Sequence, residues 1–351
     1  MTRLGETLQF QATDAAGAIR LDSAGASLRG GSSSLRQSAA PVGRAPRVGL
    51  IYNERSHRNR DRAREHRVGP LRAQVDARMP ADKRDVVKAL REFADVGIDL
   101  LVVDGGDGTV RDVLSAAHGV FGNAKPRIAV LPSGKTNALA VDLGIPDSWT
   151  IDDVIAAALR GSIAERSPIE VETPQRKGAP LQGFLFGAGA FVHATALAQN
   201  THRWGLFNGV AVGLSLALAL GQTVFGGSGN HWRRGEAMTL RYEDGSVRTG
   251  QQYLLLASTL ENLPLGMKPF GPMRPGMKLL TVDAPPRRLW ATVPALLSGS
   301  SAAWLERLGY RHGDPDRLEI DLPGGFILDG ERFDGGPIVM KRGAPIRFVV
   351  P

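Results

Sequence analysis

The sequence predicts an α/β domain of doubly wound type followed by a mainly β domain, a sandwich with inserted helices. Three observations carry this. Between residues 46 and 165, short apolar runs alternate with amphipathic helical stripes, the pattern of a parallel sheet covered by helices. Two of these runs end in glycine-rich turns that lead straight into helices, at Gly105–Thr109 and Ser133–Asn137. From residue 166 onward, short β-rich runs bounded by Gly, Pro or Asp recur, and Asp244-Gly245 gives a hairpin signal.

In chain order, residues 1–45 are rich in Ala, Gly and Ser and show no sustained periodicity. They predict a flexible tail without the apolar core of a signal peptide. Arg47–Asn53 predicts the first core strand, and a basic stretch, HRNRDRAREHR, follows closely. Residues 1–80 hold 14 Arg and no Lys against 7 acids, so +7 of the chain's formal +8 lies in its first quarter. That distribution argues against a nucleic-acid footprint over the whole protein. It suits a local basic patch for phosphate or an anionic membrane surface. Lys83–Asp95 predicts an amphipathic helix, with Val86, Val87, Leu90 and Phe93 on its apolar face. Ile98–Val103 predicts a buried strand, and Val110, Val113, Leu114 and Ala117 predict the helix behind it. Arg127–Leu131 predicts the next strand, with a helix from Ala138; Ile151–Arg160 is a further helix and Ser162–Ser167 a linker.

The second domain's predicted strands are Pro168–Glu172, Gly183–Phe186, Met238–Tyr242, Gln251–Ala257, Lys278–Val282, Arg317–Leu322, Gly325–Leu328, Ile338–Lys341 and Ile346–Val350. Two apolar segments interrupt them. Leu206–Phe225 carries no charge, and Leu289–Leu308 predicts one helix bearing Trp290 and Trp304. The chain has no cysteine, which excludes disulfides and thiolate metal sites and suits a reducing cytoplasm.

The two glycine turns carry the chemistry. Glycine lets the backbone turn with positive φ and lets a ligand come close, and the free amides of the following helix favour an anion. Asp107 sits in the first of these turns. A carboxylate beside phosphate calls for a cation between them or a proton to accept. The string Gly105-Gly106-Asp107-Gly108-Thr109 resembles the motif of the diacylglycerol/sphingosine kinase family and of the related NAD and phosphofructokinase-like kinases. Asn53 and Ser56 match an Asn-Pro-x-Ser-Gly element of the lipid kinases, with Glu54 and His57 as departures. Leu131, Pro132, Gly134, Asn137 and Ala140 match a second element, with Lys135, Thr136 and Ala138 as departures. Asp329-Gly330-Glu331 is similar to a third, near the C-terminus.

The resemblance implies an NAD-kinase-like first domain (46–165) and a lipid-substrate domain (166–351) whose final strands cross back to the first. It implies ATP and Mg2+ as cofactors. Asn53, Arg55, Ser56, Arg58, Gly105, Gly106, Gly108, Thr109, Ser133, Gly134, Lys135, Thr136 and Asn137 become the nucleotide-binding set. Asp107, Asp329 and Glu331 become the catalytic set, with Asp329 the general base and Asp107 and Glu331 near the metal. A structural Mg2+ site is not expected, because Arg274-Pro275-Gly276 stands where the family has Asp-Asp-Gly. His193 stands where sphingosine kinases read an amine with an acid, which turns the expectation toward a neutral lipid.

The implied function is phosphorylation of a lipid hydroxyl, diacylglycerol or a related neutral lipid, by a cytoplasmic protein working at a membrane surface. The segment 206–225 would then be a helix beside a lipid-accepting cleft, with a helix buried in the second domain and a single membrane span as the alternatives. A sphingoid-base or ceramide kinase, a soluble NAD-kinase-like enzyme and a non-catalytic lipid-binding protein are the alternatives. No nucleic-acid partner and no obligate protein partner is expected, and a homodimer stays open.

Overall fold

In the computed structural model, residues 46–62, 75–122, 125–174, 176, 178–201 and 231–351 are described. The predicted tail at 1–45 and the uncharged segment 206–225 lie outside them.

The first sheet is built from β1 (Val48–Tyr52), β2 (Val75–Arg78), β3 (Leu100–Gly105), β4 (Arg127–Pro132), β5 (Ile163–Arg166) and the chain's last strand, β17 (Ile346–Val349). Its order is β2-β1-β3-β4-β17-β5, parallel except for β5. The helices between these strands are α1 (His57–Arg62), α2 (Lys83–Val96), α3 (Asp107–Phe121), α4 (Ala138–Asp142) and α5 (Ile151–Arg160). Local chemistry sets their ends. Asp82 caps α2 by accepting from the amides of Arg84 and Asp85, and Gly97 ends it at φ 65°. Thr150 and Asp153 form a capping box on α5. The valines and leucines of β3 are buried on both faces, as a parallel sheet between helices requires.

The segment 163–166, predicted as linker, is strand β5. It pairs antiparallel with β17, so it gains its ladder from the far end of the chain.

The second sheet is antiparallel and has 11 strands. In chain order they are β6 (Ile169–Glu172), β7 (Leu181–Gly183), β8 (Leu185–Gly189), β9 (Glu236–Tyr242), β10 (Val247–Ser258), β11 (Lys278–Asp283), β12 (Tyr310–Gly313), β13 (Arg317–Leu322), β14 (Phe326–Leu328), β15 (Glu331–Phe333) and β16 (Gly336–Arg342). The 12-residue β10 pairs with β9 through residues 247–252 and with β8 through 254–258. Serving two partners in succession curls the sheet around a core that includes Phe186, Leu255, Leu318 and Phe326. The whole is an α/β domain joined to a β-sandwich.

Among the described residues three α-helices accompany this sheet: α6 (Ala190–Thr201), α7 (Leu289–Leu297) and α8 (Ala303–Arg307). The single helix predicted over 289–308 is thus two. Gly299, at φ +90°, turns the chain between them. The predicted strand 183–186 is likewise broken at Phe184, for a reason that belongs to the site. Among the described residues no helix is long and apolar enough to cross a membrane.

Candidate active site

β3 and β4 end side by side, Gly105 opposite Pro132, so their two glycine turns meet. A Cβ added to Gly134 would stand 2.5 Å from Gly106 Cα, and one added to Gly105 would strike Thr109. The glycines are needed first because the turns press on each other and on the start of α3. Asn137, left-handed at φ 49°, holds the second turn. Its side chain accepts from the Gly134 amide (2.8 Å) and donates to the Gly134 carbonyl (3.2 Å). Ser133 donates from its hydroxyl to Asp104 (2.5 Å) and from its amide to Gly105 (3.1 Å).

The loop after β1 joins the same junction. Asn53 donates from its side chain to Thr109 Oγ1 (2.7 Å) and accepts from the Arg55 amide (2.9 Å). Asn59, which the sequence did not single out, donates to Asp104 and to the Asn53 carbonyl. Ser56 is buried. Asn53, Arg55, Gly108, Thr109, Lys83 and Glu331 are among the residues lining a cleft of about 640 Å³ at the carboxyl ends of β1 and β3. That is where open α/β sheets hold ligands.

Within α3 the first bonded amide is that of Val110, to Gly106 O (3.0 Å). The amides at the helix start are therefore left for an anion. With Arg55 in the cleft, these donors fit a polyphosphate. Arg58 does something else. It donates to the Pro132 carbonyl (3.0 Å) and pairs with Asp147, bracing the β4 turn from outside. Lys135 is exposed and Thr136 half-buried.

Asp107 begins α3 and points at the start of α4, where the Leu139 amide approaches its Oδ1 at 3.5 Å. Burial raises its carboxyl above the usual carboxylate range, opposed by the amides of Ala138, Leu139 and Asn137 and by Arg111. Asp329 arrives from the far end of the chain. It sits between β14 and β15 in a left-handed conformation, φ 44°. Its carboxylate accepts from the amides of Phe184 and Leu185, 2.9–3.1 Å away. Those amides are free to donate because the strand predicted at 183–186 breaks at Phe184. Gly183 makes room, since a Cβ there would stand 2.7 Å from Asp329 Oδ2. Burial raises Asp329 to about 7. The charge of neighbouring Asp107 adds to the rise; the two amides and Arg111 oppose it. Two acids 222 positions apart in the chain thus form one electrostatic pair.

Glu331 has a different role from the one expected. Its Oε1 accepts from Lys83 (2.8 Å), and its Oε2 pairs with Arg111. Both oxygens are held by cations, so this residue does not fit a metal. Among the described residues no group of three or more His, Asp or Glu side chains gathers at one point, so protein side chains alone do not make a Mg2+ site.

Arg111 is a second residue that sequence reasoning missed. It is 1% exposed, donates to the Leu328 carbonyl (3.0 Å) and to Asp112 (2.8 Å), pairs with Glu331 and lies over the Phe333 ring (5.5 Å). It ties α3 to the Asp-Gly-Glu turn and adds positive charge beside both acids.

Two positions where the resemblance places family features are occupied differently. Lys278 is buried, and its ammonium donates to the carbonyls of Arg274 (3.1 Å) and Gly276 (3.2 Å) in the stretch where the resemblance would place a structural metal. His193 stands 3.9 Å from Glu236, an acid supplied by β9 rather than by α6.

The two glycine turns meet at the ends of β3 and β4, and Asp329 from the second sheet is electrostatically coupled there to Asp107. The fold is shared by two solved structures from Bacillus anthracis str. Sterne. One aligns with TM-score 0.65 at 15% identity, covering 91% of this chain and 99% of that one. The other, a diacylglycerol kinase, has TM-score 0.57 at 14% identity, covering 87% and 97%.

Residues 47–171 match the model of the diacylglycerol kinase catalytic domain. The chain is 32% identical over 98 residues to "Probable lipid kinase YegS-like" of Cronobacter sakazakii, covering 28% of this chain and 31% of the relative. It is 30% identical over 88 residues to "Probable lipid kinase YegS" of Escherichia coli O127:H6, covering 25% and 29%. The chain therefore spans, by sequence, about a third of the length of these curated relatives.

Proposed function

We propose that this protein is an ATP-dependent lipid kinase that phosphorylates a lipid hydroxyl, with diacylglycerol or a related neutral lipid as acceptor. The observation that carries this is Asp329, a carboxyl raised to about 7 by burial and by the charge of Asp107 in the first glycine turn. A general base works best with a pKa near the working pH and is typically worth roughly 10²–10⁴-fold in rate. Bound nucleotide supplies the phosphoryl group. The amides at the start of α3, with Arg55, hold its phosphates. The acceptor oxygen forms the new P–O bond as the bond to the ADP oxygen breaks, and its proton passes to Asp329. Asp107 keeps the developing proton on Asp329 favourable, and Arg111 holds the turn that carries it.

The experiment is transfer from radiolabelled ATP to a total lipid extract and to diacylglycerol in mixed micelles, with and without Mg2+. A labelled phospholipid is expected, and its formation should fall by about 10²-fold or more in Asp329→Asn. No labelled lipid from any extract, or wild-type turnover in Asp329→Asn, would sink this function.

A further inference from the structure

Helix α7 has two apolar faces. Leu289, Thr292 and Leu296 turn inward and are buried. Trp290, Val293, Pro294 and Leu297 stand at i, i+3, i+4 and i+7 on the neighbouring stripe, and no residue of the helix is charged. Trp290 is 76% exposed, and Pro294, one turn on, is exposed as well. An indole presented to water at the head of an uncharged apolar stripe marks an interaction surface.

The end of α7 that bears the indole is basic. Arg287 and Arg288 are exposed, and neither guanidinium has an ion-pair partner among the described residues. Their backbone is fixed all the same. The Arg287 carbonyl accepts from Tyr310 (2.8 Å) and the Arg288 carbonyl from Thr292 Oγ1 (3.2 Å). Arg233, whose chain neighbour Arg234 is exposed, donates to the Pro286 carbonyl (3.4 Å). The nearby acid, Asp283, is already paired with Arg248 and Arg311.

We propose that this face, Trp290 with Arg234, Arg287 and Arg288, docks the protein on an anionic phospholipid bilayer. The chemistry selects that occupant. Guanidinium groups with no ion pair among the described residues suit a sheet of lipid phosphates. Tryptophan is favoured at headgroup level, where its ring is apolar on one side and its N–H is wet on the other. The stripe from 290 to 297 is only about 10 Å long, so it lies in the interface rather than crossing it. The idea rests on the lipid-kinase reading for its purpose alone, because docking is measured without turnover.

The test is sedimentation of the full chain with vesicles of phosphatidylglycerol mixed into phosphatidylcholine, against pure phosphatidylcholine. Binding to the anionic vesicles is expected. It should weaken on the order of tenfold in the double variant Arg287→Gln, Arg288→Gln, and comparably in Trp290→Ala. Arg91→Gln, an exposed arginine on α2, serves as the charge control and should bind as wild type. Quenching by brominated lipid should be reduced in Trp290→Phe. Equal binding to neutral vesicles, unchanged binding in the double variant, or equal loss in Arg91→Gln would each overturn the proposal. So would a protein that occupies this face while the vesicles stay unbound. Kinase failure with vesicle docking intact would remove the proposed function and leave this surface standing.

Discussion

Asp329 carries a pH dependence with a definite sign. Its folded pKa is raised from 3.8 to about 7, so between those values the folded chain holds a proton that the unfolded chain has released. This group therefore makes stability fall as pH rises through that window and leaves it level above about 7. Asp329→Asn removes the ionisation, and Asn tolerates the left-handed backbone at this position. Its unfolding temperature relative to wild type should be higher at about pH 8 than at about pH 5; a constant difference between the two would refute a titrating Asp329. Activity should run the other way. Wild-type turnover should climb as pH rises through about 7, because the base works only when ionised. Arg111 makes a second prediction at this scale. Arg111→Met leaves Glu331 and Asp112 short of a cation and removes the tie to Leu328. Leaving the buried Leu328 carbonyl without its donor typically costs about 1–3 kcal/mol. Urea denaturation should show a loss of that order, whereas a loss below about 1 kcal/mol would mean that Lys83 alone holds Glu331.

At the scale of elements, the two strand–glycine–helix units are a single packed junction. Gly134→Ala is expected to disturb both turns, since its Cβ meets the Gly106 backbone and not a movable side chain. The overpacking should cost about 1–3 kcal/mol. It should lower nucleotide affinity as well, measured by titration with a fluorescent ATP analogue; unchanged affinity would show that the turns are not what holds nucleotide. These units were legible in the sequence because each is local, an apolar run, a glycine turn and a helical stripe within about twenty residues. What lay hidden depends on distant partners. Residues 163–166 read as linker because their ladder is β17, nearly two hundred positions away. Arg111 falls inside a good amphipathic helix, where an arginine ordinarily reads as solvated; only the arrival of Glu331 buries it. The break at Phe184 had no local signal, since Gly183–Phe186 is ordinary strand sequence until Asp329 takes its amides. Asp329 itself was legible as a motif residue, but not as the group that interrupts β8's approach.

For the whole molecule, the decisive feature is β17, which closes the first sheet after the chain has built the entire second one. Phe348 is fully buried on it, with Ile346 and Val349, and it meets Phe184 edge-on at 6.2 Å. Phe184 in turn gives its amide to Asp329. The last strand thus links the first domain's core to the residue that carries the acid. Each large apolar side chain fully buried contributes about 1.5–3 kcal/mol, so three of them approach the whole stability of an ordinary domain, about 5–15 kcal/mol. Ending the chain after Arg342 should therefore leave it without a cooperative unfolding transition, because β4 and β5 lose their shared neighbour. Phe348→Ala is the milder form, expected to cost about 3–5 kcal/mol. It also separates two pictures of the molecule. If the domains are coupled through β17, Phe348→Ala shifts one common transition seen by both far-ultraviolet circular dichroism and tryptophan fluorescence. If they are independent, the first sheet melts early and the β-sandwich core stays at its wild-type midpoint. The second outcome would mean that Asp329 is held by the sandwich alone, and that Phe348→Ala should leave the pH profile of turnover unmoved.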